Sequence, residues 1–223
     1  MEITNSYEAL KFLKKQNLLE PINADCDVWN PKLWWWPNAL SFEIVVGTIL
    51  VQNTRWEQVE IALKNIKDSK LLSLESLAEI PLLELESKIK SVGFFRQKAK
   101  RLKTLCQNIL SDFGDFENFK DSVSGEWLIA QKGIGNESRD GILNYALGRE
   151  VLVVDAYTKR FLEKFGFCFN GYEDMQEWLM DGILENYKKI CELYSFKIPL
   201  SLVYARFHGK IVEYVKKEKN GKI

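Results

Sequence analysis

The sequence lacks an excess of charge of either sign: 31 Lys and Arg are matched by 31 Asp and Glu. That excludes a polycation that coats nucleic acid indiscriminately. It leaves room for a local basic patch, which needs no global surplus. Cysteine is scarce and scattered. Cys26, Cys106, Cys168 and Cys191 form no C-x-x-C pair, which excludes zinc-ribbon and iron–sulfur spacings. Free thiols of a reducing compartment are expected instead. No apolar run is long enough for a bilayer. The longest, residues 44–51, is interrupted by Gly47 and Thr48 and falls far short of the roughly 20 residues required. The first residues show no basic segment followed by an apolar one, so no signal peptide is read there. Low-complexity tracts, internal repeats and Gly/Ser/Pro linkers are missing too. A soluble cytoplasmic protein is expected, associated with the nucleoid when on DNA.

What is present is helical periodicity. Residues 96–110 place Ala99, Leu102, Leu105, Cys106, Ile109 and Leu110 on one stripe, the spacing of an amphipathic helix. Residues 56–67 repeat this with Val59, Leu63 and Ile66, and residues 199–217 read as a last long helix. Residues 42–53 are apolar almost all round, which predicts a central helix. Pro81 is placed to open another. The one strand-like run, residues 151–154, has four residues and cannot define a sheet. The fold class is therefore all-α, with helices of 8–19 residues joined by short connections.

Chemistry concentrates in two segments. Lys132-Gly133-Ile134-Gly135 lies between a helix ending near Gln131 and one starting at Asn136. Glycines there permit positive φ and close approach of another backbone, and the amides at the helix start suit a phosphate. Twenty residues past Gly135 comes Val153-Val154-Asp155. Asp155 would cap the next helix and hold an ionised carboxylate at its positive end.

With Gly47-Thr48-Ile49-Leu50-Val51-Gln52-Asn53-Thr54 and Gly93-Phe94-Phe95-Arg96-Gln97-Lys98-Ala99, these motifs stand in an order that resembles the helix-hairpin-helix DNA glycosylases of the endonuclease III superfamily. The resemblance spans residues 40–165. It implies two helical domains with an active-site cleft: residues 40–150 as a six-helix barrel carrying the hairpin, and residues 1–39 with 151–223 as the second domain. Bifunctional members carry a lysine two positions after the second hairpin glycine, which attacks the sugar; here Glu137 stands there. An AP-lyase step is not expected, and no iron–sulfur cluster can be built from these cysteines. Within the superfamily the chain is most similar to bacterial 3-methyladenine DNA glycosylases, through Trp34-Trp35-Trp36-Pro37-Asn38-Ala39 and Ala205-Arg206-Phe207-His208-Gly209-Lys210.

The resemblance implies a monofunctional enzyme that flips an alkylated purine, chiefly 3-methyladenine, from double-stranded DNA and hydrolyses its N-glycosidic bond. Asp155 would be the catalyst. Trp35, Trp36, Pro37, Trp56, Glu137 and Lys210 would line the base pocket, where indole faces suit a cationic base. Gln52, Asn53, Phe94, Arg96, Lys98, Lys132, Gly133, Ile134 and Gly135 would meet DNA, with Phe94 as a wedge and Gln52 facing the orphaned base. A charged Lys210 would repel a cationic base, so pairing with Glu137 ranks first as relief, ahead of a neutral amine or its carbamate. No cofactor and no catalytic metal are expected. A structural monovalent cation at the hairpin is allowed, and the protein is read as a monomer. Alternatives are a non-catalytic DNA-binding module, a glycosylase for an oxidised or mismatched base, and a helical protein-interaction domain using the tryptophans as anchors.

Overall fold

The computed structural model describes residues 3–221. Thirteen α-helices follow one another there. They are α1 (Ser6–Lys14), α2 (Phe42–Val51), α3 (Trp56–Asp68), α4 (Leu74–Glu79), α5 (Leu82–Lys88), α6 (Phe95–Phe113), α7 (Phe116–Ser122), α8 (Gly125–Ala130), α9 (Asn136–Gly141), α10 (Ala156–Lys164), α11 (Tyr172–Glu185), α12 (Tyr187–Tyr194) and α13 (Leu200–Lys219). A π-helical turn, Ile142–Ala146, follows α9. The described residues hold no strand; residues 151–154 are extended but pair with nothing as a sheet. The all-α reading therefore stands.

Five of these helices have only six or seven residues, below the expected lower bound of eight. Side-chain caps explain three of them. Ser73, Asp115 and Ser124 each accept the backbone N–H three residues on, which satisfies an amide that helix nucleation would otherwise leave bare. Tertiary burial then supplies what length does not.

The chain divides into two units: the N-terminal segment to Ala39 with Gly148 onward, and Leu40–Leu147. In the second unit α2 is the buried centre, with Ile44 through Leu50 all buried, and packs on α3, α6 and α9. The predicted stripe on α6 is the core face: Ala99, Leu102, Leu105, Cys106 and Ile109 are buried. Truncating one such leucine to alanine removes roughly 2–5 kcal/mol. The ends of the unit meet where the Leu40 N–H donates to the Tyr145 carbonyl at 2.7 Å.

In the first unit α13 packs on α1 and α10, and α1 on α11. Phe12, Phe161, Phe165 and Tyr214 join these helices through edge-on ring pairs with centroids 5.1–5.6 Å apart. Such geometry adds about 0.5–1.5 kcal/mol per pair beyond area burial. Residues 201–212 of α13 are buried on every side.

Candidate functional site

In the first unit the extended segment before α10 carries Asp155 to a fixed place. The Val154 N–H donates to Tyr172 Oη and Gln176 Nε2 donates to the Leu152 carbonyl, tying the segment to α11. Asp155 is the cap of α10: its Oδ1 accepts the Thr158 N–H at 2.8 Å and the Thr158 hydroxyl at 3.0 Å. Its other oxygen, Oδ2, lies 3.4 Å from His208 Nε2 on α13. Burial pushes the Asp155 carboxyl up. The His208 ring and the Thr158 donors outweigh that and hold it below its ordinary value. The site thus stores an ionised carboxylate at the start of a helix.

The three consecutive tryptophans separate by role. Trp34 is core: it is buried, stacks on Trp29, and donates Nε1–H to the Val28 carbonyl. Trp35 and Trp36 are half-buried and meet edge to face. Trp35 donates Nε1–H to Glu213 Oε1 and sets its ring across that of His208, centroids 5.3 Å apart at 85°. Pro37 is exposed. Trp35, His208 and Asp155 therefore form one constellation, while Trp56 opens α3 in the other unit.

Lys210 is buried on α13, its ammonium 5.8 Å from the Tyr194 ring centroid. Burial first, and then the like charges of Arg206 and Lys14, lower it to about 7. The relief ranked first from sequence, an acidic partner, is corrected: like charges bear on Lys210. Glu137 is exposed in the first turn of α9. Burial thus favours the neutral amine over the ammonium at Lys210.

The hairpin in the second unit is built from α8 and α9. The Ile134 N–H closes the turn on the Gln131 carbonyl at 3.1 Å, and the Arg139 N–H returns to the Gly135 carbonyl at 2.9 Å. Gly133 takes φ +89°, where a Cβ would meet the Arg101 side chain at 2.6 Å. Gly135 has φ −102° and open space around its missing Cβ, so only the first hairpin glycine needs left-handed backbone. Ile134 is buried with its amide spent. Its side chain anchors the turn from inside. Gln52, read from sequence as facing the orphaned base, ties to the hairpin here: its Nε2 donates to the Gly133 carbonyl at 2.8 Å and to Ser138 Oγ at 3.1 Å.

Lys98 is the clearest correction. It is 2% exposed, and its ammonium donates to the carbonyls of Leu50 and Gln52 and to Thr54 Oγ1 at 2.7–2.8 Å. It closes the C-terminus of α2, where unpaired carbonyls attract a cation, so no phosphate reaches it. Lys103 does the same for the carbonyls of Glu79 and Ile80 after α4. Of the cations that α6 and the hairpin carry, Arg96, Lys100 and Lys132 are exposed. Lys100, Arg101 and Lys132 border a cavity of about 390 Å³ beside the hairpin.

Two exposed side chains stand out near this strut. Phe94 is 70% exposed at φ +54° and Asn53 is exposed at φ +50°. Left-handed backbone costs an ordinary residue roughly 1–2 kcal/mol. Phe94 adds exposed aromatic surface to that backbone cost, while Asn is among the residues that tolerate the left-handed region. His208, given no role from sequence, lies by Asp155, and Arg101, read from sequence as part of a basic cluster facing DNA, packs against the hairpin at Gly133.

The chain matches the model of the HhH-GPD superfamily of base excision DNA repair proteins over residues 46–183. It is 44% identical in sequence to the Helicobacter pylori 3-methyladenine DNA glycosylase MagIII, solved bound to 1,N6-ethenoadenine. That likeness has a TM-score of 0.87 and covers 96% of this chain and 98% of the other. It is 36% identical over 189 residues to MJ1434 of Methanocaldococcus jannaschii, whose name assigns it provisionally to the DNA repair glycosylases, covering 82% of this chain and 80% of the relative. It is 28% identical to endonuclease III of Bacillus subtilis over 57% of this chain and 56% of that enzyme. With a match across more than half its length and the hairpin and acidic helix cap in place, the chain belongs to the HhH-GPD superfamily of base excision DNA repair proteins.

Proposed function

We propose that this DNA glycosylase removes alkylated purines, chiefly 3-methyladenine, by hydrolysis, and leaves an abasic site in an uncut strand. The observation that carries the reading is the Asp155 carboxylate, half-buried and held ionised, in one constellation with the Trp35 indole. The likeness to a 3-methyladenine glycosylase along nearly the whole chain supports the substrate class.

The chemistry follows from the charges. Alkylation makes the base a cation and weakens its bond to the sugar, so little acid catalysis is needed. A flipped cationic base gains from an indole face, about 0.5–2 kcal/mol. As the bond breaks, positive charge moves to the sugar. A fixed carboxylate stabilises that charge without reorganising, or takes the proton of the attacking water. Because Oδ1 is occupied by Thr158, Oδ2 is the oxygen left to act. Phe94 would enter the stack the base vacates, and Asn53, Arg96, Lys132 and the Gly133–Gly135 turn would hold the backbone, contacts that set position and not sequence.

Glu137 in place of an amine argues for water as the nucleophile. No group of His, Cys, Asp and Glu among the described residues could hold a metal, and the reading uses no cofactor. A monovalent cation at the hairpin would have to share the Gly133 carbonyl with Gln52. We take the protein to act as a cytoplasmic monomer on double-stranded DNA. Among the described residues no helix is long and apolar enough to cross a membrane.

The test is single-turnover base release from duplexes carrying one defined lesion each. Asp155→Asn is expected to keep DNA binding and lose roughly 10²–10³ in rate, the loss typical of removing a preorganised charge. Release at the wild-type rate overturns the assignment. Borohydride is expected to trap no covalent adduct; a trapped adduct shows that an amine is the nucleophile.

A further inference from the structure

We propose that His208 is the positioning residue of Asp155, its Nε2–H fixing the Oδ2 oxygen toward the sugar. The inference rests on the reading of Asp155 above. The chain has a single histidine and buries it to 4% exposure. Burying an imidazole is unfavourable compared with an apolar side chain unless its nitrogens are used. Its Nε2 faces Oδ2 at 3.4 Å. Two lone pairs at that distance would repel, so a proton stands on Nε2 in either charge state of the ring.

The ring cannot turn away. The Trp35 indole lies across it. Trp35 is itself pinned by Glu213 and by the bare backbone of Gly209, where a Cβ would lie 2.3 Å from the indole. His208 is thus clamped between an aromatic wall and a carboxylate. Thr158 holds Oδ1, and the 3.4 Å approach of His208 Nε2 gives Oδ2 a second point of reference. The 3.4 Å separation leaves room to shorten when substrate displaces water, as catalytic hydrogen bonds do on closing.

Other charges nearby are differently engaged. Lys159 and Arg160 on α10 are exposed, and Lys216 on α13 lies over the Trp35 ring. Glu213 accepts from Trp35, Tyr172 on α11 meets the Val154 amide, and Arg206 donates to the carbonyls of Leu33 and Glu20. Lys210 lies by Tyr194.

Being the chain's only histidine, His208 gives one set of imidazole nitrogen signals by NMR. Its Nε2 is expected to appear as the protonated nitrogen and to change its chemical shift in Asp155→Asn, where the facing carboxylate is lost. A bare Nε2, or a signal that Asp155→Asn leaves unmoved, overturns the inference. In single-turnover excision, His208→Leu is expected to lose about tenfold or more, as outer-shell partners do, with DNA affinity unchanged and the acid limb of the pH profile moved upward. His208→Gln, which keeps a donor, is expected to recover most of the rate. A wild-type rate in His208→Leu, or a loss carried wholly by affinity, also overturns it. Where the leucine variant fails to fold, the imidazole nitrogen signals decide. An active Asp155→Asn sinks the reading of Asp155 itself; an inactive Asp155→Asn beside an unaffected His208→Leu sinks only the role of His208.

Discussion

Gly209 leaves the space that the Trp35 indole fills: a Cβ there would lie 2.3 Å from Trp35 Cγ and 2.4 Å from Trp35 Cβ. Neither neighbour is the far end of a flexible chain, so the pair fixes where the indole stands relative to α13. The same contact holds the ring edge-on to His208. A backbone feature of one helix therefore sets an aromatic wall beside Asp155.

Gly209→Ala is expected to displace Trp35, lower stability by about 1–3 kcal/mol as overpacking does, and reduce release of alkylated bases more than binding of undamaged DNA. Melting curves and single-turnover assays on the same preparation check this. An alanine variant that excises at the wild-type rate would show that Trp35 does not shape the pocket.

The two hairpin glycines are expected to part. Gly133→Ala forces an L-residue to φ +89° against Arg101 and should lose roughly 1–2 kcal/mol of stability. Gly135→Ala meets open space at an ordinary φ and should melt like the wild type. On the proposed function it should nonetheless weaken damaged and undamaged duplexes by a similar factor, because a turn that meets phosphate would carry no sequence information. Unchanged affinity of Gly135→Ala for both duplexes removes the hairpin from the DNA interface.

Lys98→Met separates a strut from a phosphate contact. Losing the ammonium leaves the Leu50 and Gln52 carbonyls and Thr54 Oγ1 without their donor, a loss of about 1–3 kcal/mol for each group left buried and unpaired. DNA affinity should fall through the loosened 52–54 loop, with the salt dependence intact. A salt slope smaller by about one would mark a direct phosphate contact instead.

Lys210 makes stability depend on pH with a definite sign. An unfolded lysine titrates near 10.4, whereas burial and the charges of Arg206 and Lys14 lower Lys210 to about 7. Below pH 7 the folded state carries the buried charge, and its penalty is fully present. From pH 7 upward the folded state releases a proton the unfolded chain keeps, so stability rises until about pH 10. Lys210→Met should therefore melt above the wild type at pH 6, with the gap closing toward pH 10. A gap independent of pH would place the amine in solvent.

Helix class and the main stripes were legible because burial imposes a period. The helix read over residues 96–110 is Phe95–Phe113, and the one read over 56–67 is Trp56–Asp68. The short helices were not legible, because α4, α7 and α8 depend on single capping side chains and on neighbours. Asp155 was readable as a cap. Lys98 was misread as a surface cation, yet a signal existed: with Leu102, Leu105 and Ile109 it falls at i, i+4, i+7 and i+11 on the buried face. Gln52 and Ile134 gave no such signal, since their partners lie far off in sequence or in the turn's own backbone. The part of His208 depends on α10 and α13 packing together, which no spacing encodes.

Asp155 closes the first turn of α10 with one oxygen and turns the other, charged one toward His208. Serine or threonine at 155 would serve the first task and abandon the second, since both cap helices well. On the proposed function, such an allele would yield a folded protein that holds DNA without releasing bases, so a fold assay and a binding assay would both pass it while repair failed.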